Sequence, residues 1–245
     1  MQQKVVKYRL KMLDTKTKSE NLIIEQVSHD LRGIIIKINQ LNEMLHDKMQ
    51  NNCDVETQQI LSHIDKLCEQ GNQITQDLLD SCELESLEDN QLELRSINQL
   101  VEQQSKIYAL QVLKKQIRFR FIIPDKQFFC KLNYSKFIRV LDNLFSNALK
   151  FTEVYGEIKI TLINIDDKVI ISIGDNGIGI PDELHKEIFK KYTKASRCGT
   201  KNENSTGLGL YIVKKIVDLH KGKVWFETKE NQGTIFYIEL AYEIV

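Results

Sequence analysis

Proline is nearly missing from this sequence, with Pro124 and Pro181 the only two. The first 88 residues contain neither, and their only glycines are Gly33 and Gly71, so little in that stretch interrupts a helix. Long apolar runs are missing too. Stretches such as Leu22 to Ile24 and Ile34 to Ile36 fall far short of the roughly 20 residues of a membrane-spanning helix. No basic segment followed by an apolar one opens the chain, so no secretory leader is expected. An excess of charge of one sign is absent: Lys+Arg and Asp+Glu number 34 each. That balance excludes a whole-chain field for nucleic acid or an anionic membrane, and neither is expected as a partner. The five cysteines, Cys53, Cys68, Cys82, Cys130 and Cys198, are odd in number, widely spread and without a Cys-x-x-Cys. A disulfide frame and a zinc site are therefore not expected, and a reducing, cytoplasmic compartment is.

What is present divides in two. The composition shifts near Glu85 to Asn90, which predicts one domain over 1–88 and a second over 89–245. In the first, Ile24, Val27, Leu31, Ile34, Ile38, Leu41 and Leu45 fall at alternating steps of three and four. This is an a/d seam of helices packing side by side. After a polar stretch, Asp47 to Glu56, the same rhythm returns in Ile60, Ile64, Leu67, Gly71, Ile74 and Leu78. The pattern predicts an antiparallel helical hairpin whose half-open seam closes against a second copy as a four-helix bundle. In this register His29 takes position f, farthest from the seam, and is expected to point into solvent. Arg32 is read either as a phosphate contact or as part of an inter-helix ion pair.

The second half alternates strands with helices. Strands are expected at 91–96, 117–123, 128–132, 157–165, 168–174, 224–228 and 234–240. Ser96 should cap a helix to about Lys114, Asn133 one from Tyr134 to about Phe151, and a third helix should open near Gly207. The expected result is a mixed sheet with helices on one face, an α/β sandwich. On this frame Asn143 and Asn147 are spaced i,i+4, on one helix face with Lys150 one step round. Two carboxamides there offer neutral oxygens to a Mg²⁺ ion. Asp175 ends an apolar strand and is followed by Gly177 and Gly179, which permit close backbone approach. Gly207 and Gly209, after Thr206, precede a helix whose N-terminal N–H groups suit phosphate.

Taken in order, these strings resemble the cytoplasmic core of two-component sensor histidine kinases. Ser28-His29-Asp30-Leu31-Arg32 resembles the H-box, Asn143 to Thr152 the N-box, and Asp175-Asn-Gly177-Ile-Gly179 the G1 box. Ile188-Phe189-Lys-Lys-Tyr192-Thr-Lys194 resembles the F-box, and Thr206-Gly207-Leu208-Gly209 the G2 box. The resemblance covers roughly residues 15 to 241. It implies an α+β fold, a dimeric helical bundle followed by an ATP-binding sandwich, with ATP and Mg²⁺ as cofactors. It implies that His29 is phosphorylated with help from Asp30, that Asn147 holds the metal, that Asp175 meets adenine, and that Lys150 and the G2 amides meet phosphate. The polar run Ala195 to Ser205 then reads as a lid, in which Lys194 and Arg197 reach the γ-phosphate or are solvated lid charges. The implied partners are a second copy of the chain and a response-regulator receiver domain carrying the accepting aspartate. Tethering to a membrane would have to come through an upstream region.

Three departures stand out. Gly33 replaces the Thr or Asn that in the family positions water for dephosphorylating the regulator, which puts phosphatase activity in doubt. Ile34 replaces the following proline, and Ser205 an extra glycine before Thr206. The rival readings are an ATPase clamp on the same fold, against which the His29 helix speaks, and a scaffold whose kinase activity has decayed, against which the intact boxes speak.

Overall fold

The computed structural model describes residues 24, 27–45, 47, 54–83, 92–191 and 207–243. Contacts divide the chain into two units, Met1–Ser86 and Leu87–Val245.

The first unit holds α1 (residues 27–45) and α2 (Val55–Glu83). Asp54 caps α2 by accepting the Thr57 N–H at 2.7 Å, and that hydrogen bond holds its carboxyl below the ordinary value. The helices run antiparallel. Asn42 donates to the Leu61 carbonyl at 3.1 Å and to the Asp65 carboxylate at 2.6 Å, and toward the other end Arg32 donates to the Gln76 carboxamide. Of the two readings of Arg32, the structure thus brings it to an inter-helix contact, though the partner is neutral. Midway the helices approach so closely that a Cβ on Gly71 would stand 2.8 Å from Ile35 Cδ1.

The stripe between these helices is not the predicted seam. Ser28 and Asn42 of α1 are buried, with Leu61, Cys68 and Thr75 of α2. Val27, Leu31, Ile34, Ile38, Leu41 and Leu45 stay exposed, as do Ile60, Leu67 and Ile74. The buried stripe lies one residue beyond the apolar one on each helix. The reason is physical: a two-helix hairpin buries one stripe per helix, and here Arg32, Asn42, Asp65 and Gln76 find partners across it.

The second unit carries β1 (Glu93–Ser96), α3 (Ile97–Lys115), β2 (Arg118–Ile122), β3 (Phe129–Leu132), α4 (Tyr134–Phe151), β4 (Glu157–Ile165), β5 (Lys168–Asp175), α5 (Gly209–Leu219), β6 (Lys223–Lys229) and β7 (Gly233–Ala241). β1 and β3 form a small antiparallel pair, and the main sheet runs β2-β4-β5-β7-β6. Only β2 and β4 are parallel in it, so the sheet is mixed, as expected. Alternation sets its inner face: Ile158, Ile160 and Leu162 of β4, Val169, Ile171 and Ile173 of β5, and Ile238 and Leu240 of β7 are buried. The helices supply the opposing layer, with Leu141, Leu144 and Phe145 of α4 and Ile212, Val213 and Ile216 of α5 buried.

Caps set the helix starts. Ser96 Oγ accepts the Gln99 N–H at 3.3 Å, and Asn133 Oδ1 accepts the Lys136 N–H at 3.2 Å. One start differs from expectation: α5 begins at Gly209, two residues after Gly207, because Gly207 sits at φ +69° in the left-handed region and cannot enter the helix. Tyr108 of α3 stacks on Phe145 of α4 at 3.9 Å between ring centroids and donates to Asp142 at 2.7 Å. Burial raises both the Tyr108 and the Asp142 groups above their ordinary values. No helix among the described residues is long and apolar enough to cross a membrane.

Candidate active site

In the first unit His29 lies on the outer side of α1. Its side chain is 84% exposed, and Nδ1 stands 3.6 Å from the Asp30 carboxylate, which is itself 72% exposed. That distance is longer than a hydrogen bond yet close enough for charge to be felt. Adjacent helical residues do not ordinarily face one another, so this pairing requires a particular rotamer. Gly33, one turn on, has open space around it: a Cβ there would meet nothing within 4 Å.

In the second unit, several of the remaining predicted residues gather around the ends of α4, β5 and α5. Asn143 and Asn147 are both half-buried on α4. The Asn143 amide donates to the Arg139 carbonyl at 2.9 Å, which fixes its orientation. Its Oδ1 fills the space beside Gly209, where a Cβ would stand 2.7 Å from that oxygen. Glycine at 209 therefore lets the start of α5 approach α4. Lys150, near the end of α4, lies over the Phe151 ring at 5.7 Å from its centroid.

Asp175 ends β5, and its Oδ1 accepts the Gly177 N–H at 2.9 Å. Burial pushes its carboxyl up to about 6, although the Gly177 and Thr234 N–H groups favour the charged form. A carboxylate that costs this much to keep ionised is a candidate functional group rather than a surface charge. The loop beyond it is tightly held: Ile178 N–H donates to the Phe151 carbonyl at 3.2 Å. Gly179 adopts φ +68°, and a Cβ there would come within 2.3 Å of the Lys229 carbonyl, so only glycine fits.

Phe189 is found in an aromatic cluster with Phe226 and Phe236, at 6.1 and 6.5 Å between centroids. Gly207, Leu208 and Gly209 stand at the head of α5, with Leu208 buried. Tyr192, Lys194, Arg197 and Thr206, with the whole predicted lid, lie outside the described residues. Among the described residues no group of three His, Cys, Asp or Glu side chains is placed to hold a metal.

Two histidines outside the motifs, His185 and His220, join segments here. His220 Nε2 accepts the Asn133 N–H at 2.9 Å while Nδ1 meets the Ile216 carbonyl at 2.6 Å. It thereby ties the start of α4 to the end of α5. Burial lowers its proton affinity, which suits a neutral ring that must accept at one nitrogen. His185 meets the Ile180 carbonyl at 2.9 Å. Neither role is carried by a motif: His185 acts on the backbone five residues before it, and His220 on the backbone four residues before it and on Asn133.

Residues 133–244 match the family model described as histidine kinase-, DNA gyrase B- and HSP90-like ATPase. The sensor histidine kinase WalK of Bacillus subtilis is 29% identical over 90% of this chain and 36% of its own length. The chain spans about a third of the length of the curated sensor proteins it matches. Among solved structures, the catalytic domain of histidine kinase ThkA is 32% identical, covering 61% of this chain and 95% of that one, with a TM-score of 0.54. Histidine kinase ThkA in complex with the response regulator TrrA aligns over 95% of this chain and 66% of that one, at 25% identity and a TM-score of 0.61. With the exposed His29 on one unit and this fold in the other, the chain belongs to the sensor histidine kinases.

Proposed function

We propose that the chain phosphorylates its own His29 from Mg·ATP and passes the phosphoryl group to an aspartate on the receiver domain of a response regulator. The observation that carries this reading is the exposed imidazole beside Asp30, on a chain whose other unit has the ATPase fold. On this reading Nε2 is the attacking nitrogen, and Asp30, 3.6 Å from Nδ1, stands on the side where the ring gives up its proton. Nε2 attacks the γ-phosphorus, the bond to the bridging oxygen breaks, and its electron pair leaves with ADP. The Nδ1 proton passes to Asp30 or solvent.

In the nucleotide site Asp175 accepts the adenine amino group, and the loop at Gly177 and Gly179 lies against the base. Lys150 and the backbone N–H groups of Gly207, Leu208 and Gly209 meet the phosphates. The Asn147 carboxamide oxygen, with Asn143 beside it, suits Mg²⁺, which also takes phosphate oxygens and water. The ion supplies charge neutralisation at the phosphates when bound. Phe189 supports the base side of the site, and Tyr192, Lys194 and Thr206 are assigned to ATP binding from the sequence motifs alone. On this reading residues 1–88 form the phosphoacceptor and dimerisation domain and residues 89–245 the catalytic domain, in the cytoplasm.

A homodimer follows from the exposed apolar stripe of α1 and α2, which a second copy would bury. A receiver domain as partner is supported by the complex known for ThkA. With no polar side chain at Gly33, little dephosphorylation of the regulator is expected.

The test is incubation with Mg²⁺ and γ-labelled ATP, comparing wild type with His29→Ala. An acid-labile, base-stable label lost in the variant is expected. No label on a chain that demonstrably binds ATP would refute autophosphorylation.

A further inference from the structure

Ile180 lies on the loop after Asp175, and both of its backbone polar groups are held by side chains from other segments. Its N–H donates to Thr228 Oγ1 at 3.0 Å. Its carbonyl meets His185 Nε2 at 2.9 Å; a carbonyl only accepts, so this nitrogen carries the proton. Thr228 has no spare capacity. Its hydroxyl donates to the Gly233 carbonyl at 2.9 Å and lies 2.9 Å from Thr234 Oγ1, from which it accepts. Thr234 is the strand partner of Asp175 across β5 and β7. One hydroxyl thus links the loop, the β6–β7 turn and the strand position facing the buried carboxylate.

The same turn grips the loop again nearby, where Asn231 N–H donates to the Ile178 carbonyl at 2.8 Å. His185 is braced from behind, its ring edge-on to Phe226 at 5.2 Å and 84°. Phe226 in turn packs on Phe236 at 5.8 Å. The loop from Asp175 to Ile180 is therefore not a free glycine-rich turn. It is held by hydrogen bonds at both faces of one peptide residue, each from a side chain with its own support.

We propose that Thr228 and His185 are positioning residues of the nucleotide site, which act through Ile180 to hold the loop that meets the base. The inference rests on the nucleotide reading above. Neither side chain touches the reacting phosphate, so their loss weakens nucleotide binding and leaves the transfer step at saturating ATP unchanged. Because both hold the same residue, their losses do not add.

The test uses the full chain with Mg²⁺ and ADP as the probe in titration calorimetry. Thr228→Val, nearly isosteric, should weaken ADP binding about tenfold, the worth of one to two hydrogen bonds. Thr228→Ser should restore it to within about twofold of wild type. His185→Phe keeps a ring against Phe226 but removes the donor, and should weaken binding several-fold. The double variant should be weaker than Thr228→Val by less than that factor. Amide exchange at Ile180 should accelerate in Thr228→Val, and KM for ATP should rise with kcat unchanged. Wild-type affinity in Thr228→Val, or failure of serine to rescue, overturns the inference alone. Failure of the wild type to bind ADP overturns the nucleotide reading and this inference with it. Should Thr228→Val not fold, His185→Phe tests the same clamp: unchanged affinity there overturns it.

Discussion

The two units solve burial in opposite ways. The second closes an apolar core between a sheet and three helices, with Leu144, Ile171 and Val213 fully inside. The first places polar groups between its helices and leaves its best apolar stripe in the open. A chain that wanted only a stable hairpin would have turned that stripe inward. Leaving it out costs about 25 cal/mol per Å² of apolar surface kept wet, and that debt is recovered only when another surface covers it. The second unit thus buries its apolar surface within itself, while the first leaves its apolar stripe for the partner proposed above.

The largest effect should come from breaking the open stripe. Leu31→Glu combined with Ile38→Glu should convert the proposed dimer to monomer in sedimentation while leaving ADP affinity intact. A chain that remains dimeric would erase the contrast between the units. In the closed unit, Leu144→Ala should remove about 2–5 kcal/mol of unfolding free energy. That loss should not depend on protein concentration in denaturant titrations, unlike the stability of the helical unit.

Next comes Asp175. Its carboxyl rises from 3.8 to about 6 on folding, so its protonated form favours the fold. The resulting stability is complete below pH 3.8 and is lost as pH climbs through 6, a share of about 3 kcal/mol. On the proposed reading binding runs the other way, since it is the ionised form that would accept from adenine. ADP affinity should fall roughly tenfold between pH 7 and pH 5 by the protonation equilibrium alone, and Asp175→Asn should flatten that profile in calorimetry. The smallest effect belongs to Gly33→Ala. With nothing within 4 Å of the added methyl, the helical unit should gain about 1 kcal/mol in thermal unfolding.

Much of the closed unit was legible in the sequence. Asn133 marks the start of α4, and its apolar spacing carries to Phe151; β4 falls at 157–165, where β-branched and apolar residues dominate and alternate with polar ones as far as Leu162. Local rules suffice there because local preference and tertiary burial agree. The sequence places the start of α5 only near Gly207, since a glycine pair does not reveal which member is left-handed; the helix opens at Gly209. In the helical unit the apolar period was legible but not which neighbour it faces, because periodicity reports a stripe and not its partner. Of the candidate site, the motif residues on α4 and after β5 were legible, with His29 on its exposed face. Thr228 and His185 were not. The first acts across 48 positions of sequence and the second through a backbone carbonyl, and neither leaves a pattern.

The strand order carries a consequence for how the molecule is made. β7 lies between β5 and β6, although it is the last of the five to be synthesised. Until residue 241 has emerged from the ribosome, β5 is an open edge, its backbone from Lys168 to Asp175 unpaired on the side that β7 will occupy. The nucleotide unit therefore cannot assemble progressively as it is translated. A stalled or prematurely ended chain exposes a strand ready to pair with its neighbours, and aggregation of such products is the hazard built into this topology.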